Sequence, residues 1–184
     1  MSVAPDYAAP LIGWRSWAVV EEEDDLRLSS VVFDTRWPPR ERLEATCLHR
    51  ARSGLLARLL RIEPHDAPDD GCECGIYAAP AADMALPYLD RHALLRLARS
   101  ALIGRVALWG RVIECERGWR ATFAYPTRLY VLRAALSRRQ EPDADAFAER
   151  LGVYGVPVEV LDALTVAELL LELADREETP SGAS

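Results

Sequence analysis

The feature that most constrains the fold is a long alternating stretch, LIGRVALWGRVIECERGWRATFAYPTRLYVLR, which runs from Leu102 to Arg133. Side chains alternate on both sides of the short turn Glu116-Arg117-Gly118, as in two antiparallel strands that are joined by a hairpin turn. Gly110 interrupts the first strand and predicts a bulge or a sharp bend, which would curl the sheet. We therefore expect a curved, mostly antiparallel sheet, either open or closed into a small barrel.

Further strands are predicted ahead of this hairpin. Leu11–Val20 is rich in tryptophan and valine, and the acidic run Glu21–Asp25 forms a turn that leads to a second strand, Leu26–Trp37. Two prolines end that strand, because proline cannot donate to a ladder. Glu41–Arg50 alternates well enough to form a third strand.

Other segments carry leucines at helical spacing, which predicts helices. The segments are 51–62, 81–101, a stretch from Ala146 to Leu161 that Gly152 or Gly155 would break, and the terminal stretch Thr165–Glu178. Thr165 and Glu168 have the spacing of a capping box at the start of the terminal helix.

Together these elements predict one α+β domain at residues 11–176, in which helices pack on the curved sheet. The small and polar ends, residues 1–10 and 179–184, are expected to be disordered tails. Half of the residues are hydrophobic and 28% are charged, as is usual for a folded domain with a core.

Composition and charge exclude several function classes. A net charge of −7 and a pI near 5.1 argue against a nucleic-acid partner, because such binding depends on basic residues that neutralise phosphates. No apolar run is long enough to span a membrane, and the N-terminus lacks the pattern of a secretory signal, so we expect a cytoplasmic protein without a membrane partner. Lysine is absent, which excludes Schiff-base chemistry and a Walker A lysine.

A candidate metal site combines one histidine with three cysteines: Cys47, His65, Cys72 and Cys74. One imidazole and three thiolates suit tetrahedral zinc, which is the cofactor that this set predicts. The last two cysteines are separated by one residue, which is tighter than the usual zinc pair, and glycines on both sides would let the backbone bend around an ion.

Other interpretations of these residues stay open. Cys115 or His49 could replace one ligand, since strands bring distant residues together. Cys47 and Cys115 could also be small buried hydrophobic residues, with His65 an ordinary loop residue. A third alternative is that Cys72 and Cys74 form a redox pair, but the surrounding carboxylates oppose the thiolate that such chemistry needs.

Arginine beside tryptophan can form a stacked pocket for a planar or anionic ligand. The candidate ligand-binding residues are Trp17, Trp109, Arg111, Trp119 and Arg120, within a wider set that adds Trp14, Arg15, Trp37 and Tyr125. The alternative is that the tryptophans belong to the core and that the arginines face solvent.

Three strings carry a resemblance to other proteins: CECGIYA at 72–78, ALWGRVIE at 107–114 and GWRA at 118–121. Together with an N-terminal GWRSW, they resemble a group of small uncharacterised proteins from GC-rich bacteria, over roughly residues 12–126. The matching residues are Gly13, Arg15, Trp17, Cys72, Cys74, Gly75, Ile76, Tyr77, Ala78, Leu108, Trp109, Gly110, Glu114, Gly118, Arg120 and Ala121. The resemblance implies no substrate, reaction or catalytic residue.

Neither a catalytic triad order, a zinc-protease motif nor a nucleotide-binding glycine loop is present. We therefore predict a non-enzymatic binding or adaptor module, whose Cys-His loop is a structural site and whose partner is a protein or a small molecule. The alternative is an enzyme that uses this loop as a metal-dependent hydrolase or a thiol redox catalyst. The terminal helix either docks on the sheet or offers a surface for a homo-oligomer.

Overall fold

The computed structural model describes residues 9–23, 25–33, 35–47, 65–89, 100–136 and 143–178. The strands are β1 (Leu11–Glu22), β2 (Asp25–Ser30), β3 (Leu43–Glu44), β4 (Ile76–Ala78), β5 (Ser100–Cys115), β6 (Gly118–Leu136) and β7 (Val158–Leu161). The helices are α1 (Ala82–Ala85), α2 (Ala144–Leu151) and α3 (Val166–Glu178), and a 3-10 turn follows α2 at Gly152–Tyr154.

The strands form one mixed sheet with the order β2-β1-β5-β6-β3, and β4 and β7 also pair with β6. All of these pairs are antiparallel except β6 with β7. The predicted α+β class and the β5–β6 hairpin are confirmed. The ladder between β5 and β6 shifts register between Trp109 and Val112, at the predicted bulge near Gly110.

The sheet curls but is not closed, so the small barrel is not formed. β2 occupies the outer edge of β1 from Trp17 to Glu22. Beyond it, a single bridge joins Trp14 to Ala79, which follows β4, through two backbone hydrogen bonds of 2.7 and 2.8 Å. Closure would need a continuous ladder here.

The outer edge of β6 carries three short strands one after another. β4 pairs with residues 119–121, β3 with 123–124 and β7 with 129–132. Because β3 has two residues and β4 has three, each makes few ladder hydrogen bonds. The position of these two strands therefore depends on contacts made by the neighbouring loop residues.

Both faces of the sheet are buried. On one face, Trp17 and Leu28 lie in a core that includes Phe147 of α2. On the other face, Trp14 and Tyr130 belong to a second core that α3 completes. Burial on both faces explains why neighbouring residues such as Leu102 and Ile103 are both fully buried.

Several predicted boundaries change. The third strand predicted over Glu41–Arg50 is reduced to β3, and its C-terminal part, together with the predicted helix at 51–62, lies outside the described residues. The helix predicted over 81–101 is wrong at its end, because β5 already begins at Ser100, where pairing with β1 and β6 outweighs the leucine spacing. Residues 90–99 lie outside the described residues.

The C-terminal region follows the predicted break. α2 ends at Leu151, Gly155 adopts a left-handed conformation with φ of 69°, and the chain continues as β7 rather than as helix. The capping box is confirmed: the amide of Glu168 donates to Thr165 Oγ1 at 3.2 Å, and the amide of Thr165 donates to the Glu168 carboxylate at 3.1 Å. Residues 1–8 and 179–184 lie outside the described residues, so the tails stay a prediction.

Within the described part of the chain, none of the helices has the length and apolar character that a membrane crossing requires.

Candidate metal centre

The structure brings all four predicted ligands together. The ligand atoms of Cys47, His65, Cys72 and Cys74 lie within 4.8 Å of one another. The sulfurs of Cys47 and Cys72 are 3.8 Å apart, and Cys74 Sγ lies 3.4 Å from His65 Nε2. Cys47 is buried and the other three are half-buried, so the cluster lies just beneath the surface.

Two of the six separations match the edges of a tetrahedral site, and none of the six exceeds 4.8 Å. Zinc bonds of about 2.3 Å to sulfur and about 2.0 Å to nitrogen give edges of about 3.8 Å between sulfurs and about 3.5 Å between sulfur and nitrogen. The observed values are 3.8 and 3.4 Å. The sulfurs are too far apart for a disulfide, whose S–S bond is about 2.05 Å. The cluster therefore has the donors and the spacing for a four-coordinate metal ion.

The ligands lie next to the two short strands on the outer edge of β6: one follows β3, and three lie in the loop before β4. Cys47 follows β3, which is extended by a hydrogen bond from the Ala45 amide to the Thr122 carbonyl at 2.7 Å. A single residue separates Cys74 from the start of β4. Since β3 and β4 pair with neighbouring parts of β6, residues that are 25 positions apart in the chain meet at one site.

A tight turn shapes the loop between His65 and β4, which we call the metal loop (residues 65–75). The carbonyl of Asp69 accepts from the Cys72 amide, and its carboxylate accepts from the Gly71 amide, each at 3.0 Å. Gly75 has a φ of 127°, and a Cβ there would lie 3.1 Å from Cβ of Arg120. Glycine is therefore required where the loop passes over β6.

Arg120 supports the metal loop from beneath. This side chain on β6 is 7% exposed, and its Nη1 donates to the backbone carbonyls of Cys72 and Cys74, the latter at 3.0 Å. A zinc ion with three thiolates and a neutral imidazole has a net charge of −1, because +2 is added to −3. The guanidinium supplies the opposite charge next to the site.

Burial is the main cause that raises the pKa of the Cys74 thiol to about 11, and the neighbouring Cys72 and Cys47 thiols raise it further. Without a metal ion this thiol stays protonated at neutral pH, and a protonated thiol is a poor nucleophile. A bound metal ion would displace the proton, since the thiolate is the ligand. The environment therefore suits metal coordination better than thiol catalysis.

The two alternative ligands do not join the cluster. Cys115 donates weakly to the Ile113 carbonyl of its own strand, with a sulfur–oxygen distance of 3.7 Å. It does not belong to the group of potential ligands within the described residues. His49 lies outside the described residues. None of the four cysteines forms a disulfide.

The predicted aromatic-arginine residues are distributed over several places. Trp17 is fully buried in the core, and Trp119 packs against the same core. Trp109 lies beside Phe123 at a centroid distance of 6.1 Å. Both arginines contact the metal loop instead: Arg120 through the carbonyls of Cys72 and Cys74, and Arg111 through an exposed ion pair with Asp70 at 2.9 Å. Ligand binding by this set stays a prediction.

Sequence reasoning missed the supporting role of Arg120. The register that places Arg120 opposite Tyr77, directly after the metal loop, depends on the pairing of β4 with β6. The sequence offers no local signal for this role, because Arg120 and Cys74 lie 46 positions apart in the chain.

We expect Arg120→Met to weaken zinc binding by about 10- to 100-fold, which is typical for the loss of a group that orients metal ligands. The measurement is competition for zinc against a chromophoric chelator, with circular dichroism to verify folding. Arg111→Gln is the matched control, since an exposed ion pair contributes little and this variant should bind almost like the wild type. Unchanged affinity in a folded Arg120→Met protein would contradict the role of this arginine.

No protein-family model matches the chain, and neither a curated protein nor a solved structure matches it significantly.

Proposed function

We propose that this chain is a non-enzymatic binding or adaptor module, in which the metal loop and Cys47 hold a structural zinc ion. The observation that carries this proposal is the convergence of three sulfurs and one imidazole nitrogen within 4.8 Å. Four protein ligands fill a tetrahedral site, whereas catalytic zinc keeps one position for water or substrate. The donor set therefore favours a closed, structural site.

The position of the site gives the ion a structural task. It would link the end of β3 to the start of β4, and both strands pair with β6 over only two or three residues. The ion would also close the chain between ligands that are 9 and 25 positions apart. Closing these loops in advance reduces the entropy that is lost when the short strands pair.

The alternative is an enzyme that uses the same residues for metal-dependent hydrolysis or thiol redox chemistry. A hydrolase would need one protein ligand to leave the metal. A redox catalyst would need a thiol with a lowered pKa, but burial raises the pKa of Cys74 to about 11. Both requirements run against the geometry and the electrostatics of this cluster.

Other parts of the proposal rest on the surface of the molecule. α3 docks on the sheet through Leu169 and Leu173, while Leu171 is 68% exposed and Leu164, just before the helix, is 81% exposed. These outward leucines support self-association or partner binding through the C-terminal helix.

Cysteines without disulfides support a reducing, cytoplasmic location. The relation to the group of small proteins from GC-rich bacteria is a further proposal.

We expect untagged protein that is purified without chelator to contain one zinc ion per chain by elemental analysis. Cys72→Ser should lose the ion, because a serine hydroxyl is a far poorer ligand than a thiolate. Cys115→Ser is the matched control and should keep it, since Cys115 lies outside the cluster. A wild-type chain that takes up no zinc, even when zinc is supplied under reducing conditions, would contradict the proposal.

A further inference from the structure

The metal centre places a shielded cysteine beside a more accessible one. Cys47 is 3% exposed, whereas Cys72 and Cys74 in the metal loop are half-buried. The sulfurs of Cys47 and Cys72 are 3.8 Å apart, which is close to van der Waals contact. A small oxidant therefore reaches the metal loop before it reaches Cys47, and an oxidised Cys72 would already have a second sulfur beside it.

The geometry favours Cys47 over Cys74 as the partner of Cys72. A disulfide between Cys72 and Cys74 would enclose Glu73 alone, and so small a ring opposes the preferred disulfide dihedral angle. Cys47 and Cys72 are 25 positions apart and come from separate segments, so a bond between them is free of that restriction. Their sulfurs would have to approach by roughly 1.8 Å, to a bond of about 2.05 Å. Because Arg120 holds the Cys72 carbonyl, side-chain rotation would supply most of this movement.

We propose that the metal centre is a redox switch: hydrogen peroxide converts Cys47 and Cys72 into a disulfide and the metal ion is released. This inference rests on the structural zinc site proposed above. The Cys72 thiolate attacks one peroxide oxygen, the O–O bond breaks, and a sulfenic acid and hydroxide form. The Cys47 thiolate then attacks the Cys72 sulfur, the S–O bond breaks, and a second hydroxide leaves. Solvent protons convert both hydroxides to water, so the two sulfurs lose the two electrons that the peroxide gains.

This reaction differs from thiol redox catalysis, which the cluster disfavours. A metal ion keeps its cysteine ligands as thiolates, so the attacking sulfur is supplied by coordination itself. The reaction is also stoichiometric, since each chain reduces one peroxide and then stays oxidised until a reductant restores both thiols.

Oxidation would remove the metal but keep the structural link. Only Cys74 and His65 would remain as ligands, and two ligands do not complete a tetrahedral site. The disulfide would join the end of β3 to the metal loop across the same 25 positions that the ion spans. The oxidised, metal-free protein should therefore melt above the reduced, metal-free protein, because the new bond restricts the unfolded chain.

The test is a titration of the zinc-loaded protein with hydrogen peroxide, beside a chromophoric chelator that is too weak to remove zinc from the reduced protein. Elemental analysis before the titration verifies that zinc is bound. We expect about one zinc ion to be released for each peroxide that is consumed, and a phosphine reductant should restore zinc binding. Tandem mass spectrometry of digested protein should identify a bond between Cys47 and Cys72.

Cys115→Ser is the matched control and should release zinc as the wild type does, because Cys115 lies outside the cluster. Metal-free Cys74→Ser should still form the disulfide, whereas metal-free Cys47→Ser should not. Calorimetry then compares the oxidised wild type with the reduced protein in EDTA.

Two kinds of failure are distinguishable. A chain that takes up no zinc overturns the structural site, and the switch with it. A zinc-loaded chain overturns the switch alone if it keeps its ion in excess peroxide, if it loses the ion through sulfinic acid formation, or if its disulfide joins a different pair of cysteines. An oxidised protein that melts no higher than the reduced protein in EDTA would also contradict the switch, because its disulfide would not replace the link.

Discussion

Removal of the proposed zinc ion with EDTA should lower the melting temperature of this protein by roughly 8–16 °C. A ligand that is present at a thousand times its dissociation constant and binds only the folded state adds about 4 kcal/mol to the free energy of unfolding, and in a chain of this size each kcal/mol shifts the melting temperature by about 2–4 °C. The effect should be large because the four ligands are distant in sequence and cannot form the site in the unfolded chain. Differential scanning calorimetry with and without EDTA measures the shift.

The control for this experiment is Cys72→Ser. This variant should melt at the lower temperature even without EDTA, and EDTA should not change its melting further. Elemental analysis of the wild-type sample must show that the ion has been removed. If the wild-type protein then melts as before, the cluster is a set of buried thiols and the structural role of zinc is refuted.

Loss of the metal ion should not unfold the whole domain at room temperature. None of the four ligands belongs to either of the two cores, one around Trp17 and one around Trp14. The nearest core residues are those of β4, which follows the metal loop. In classical zinc fingers the metal replaces a core, whereas here it would secure an edge of a sheet that has its own core. A stable but less tightly held metal-free state is therefore expected.

The sequence predicts the parts of this fold that depend on local pattern. The alternation across Leu102–Arg133 and the turn at Gly118 produce β5 and β6, and Thr165 with Glu168 caps α3. The candidate metal ligands are recognisable from their chemistry, because three cysteines and a histidine near two glycines form a familiar donor set. These features require no knowledge of which strands are neighbours.

The remaining features depend on pairing between distant segments. β3, β4 and β7 are too short to be identified from alternation, and their positions are set by successive stretches of β6. The role of Arg120 follows from that register alone. Whether the sheet closes depends on how far β2 covers β1, which periodicity along one strand does not show.

The second large effect is expected from Gly118→Ala, at the turn between β5 and β6. Gly118 has a φ of 133°, which residues with a Cβ rarely adopt. A Cβ there would overlap the carbonyl oxygen of Ala78 and come within 3.0 Å of Cα of Ala79. Because these are backbone atoms, β4 would have to move away from β6. We expect the free energy of unfolding to fall by at least about 3 kcal/mol, which combines backbone strain with lost pairing.

Gly152→Ala is the matched control. A Cβ at Gly152 meets nothing within 4 Å, and its φ of −56° suits any residue. This variant should be as stable as the wild type or slightly more stable, since alanine reduces the entropy of the unfolded chain. Urea unfolding of both variants measures the difference. A Gly118→Ala protein of wild-type stability would show that β4 is not held against this turn.

Gly118→Ala should also weaken zinc binding, because β4 begins two residues after Cys74 and its displacement would move that ligand. The substitution and zinc removal would then loosen the same edge of the sheet. Their effects on the free energy of unfolding should therefore not add: EDTA should cost the Gly118→Ala variant less than it costs the wild type. Strict additivity would mean that the pairing of β4 and the metal site stabilise the protein independently, and would contradict the view that the ion secures the short strands to β6.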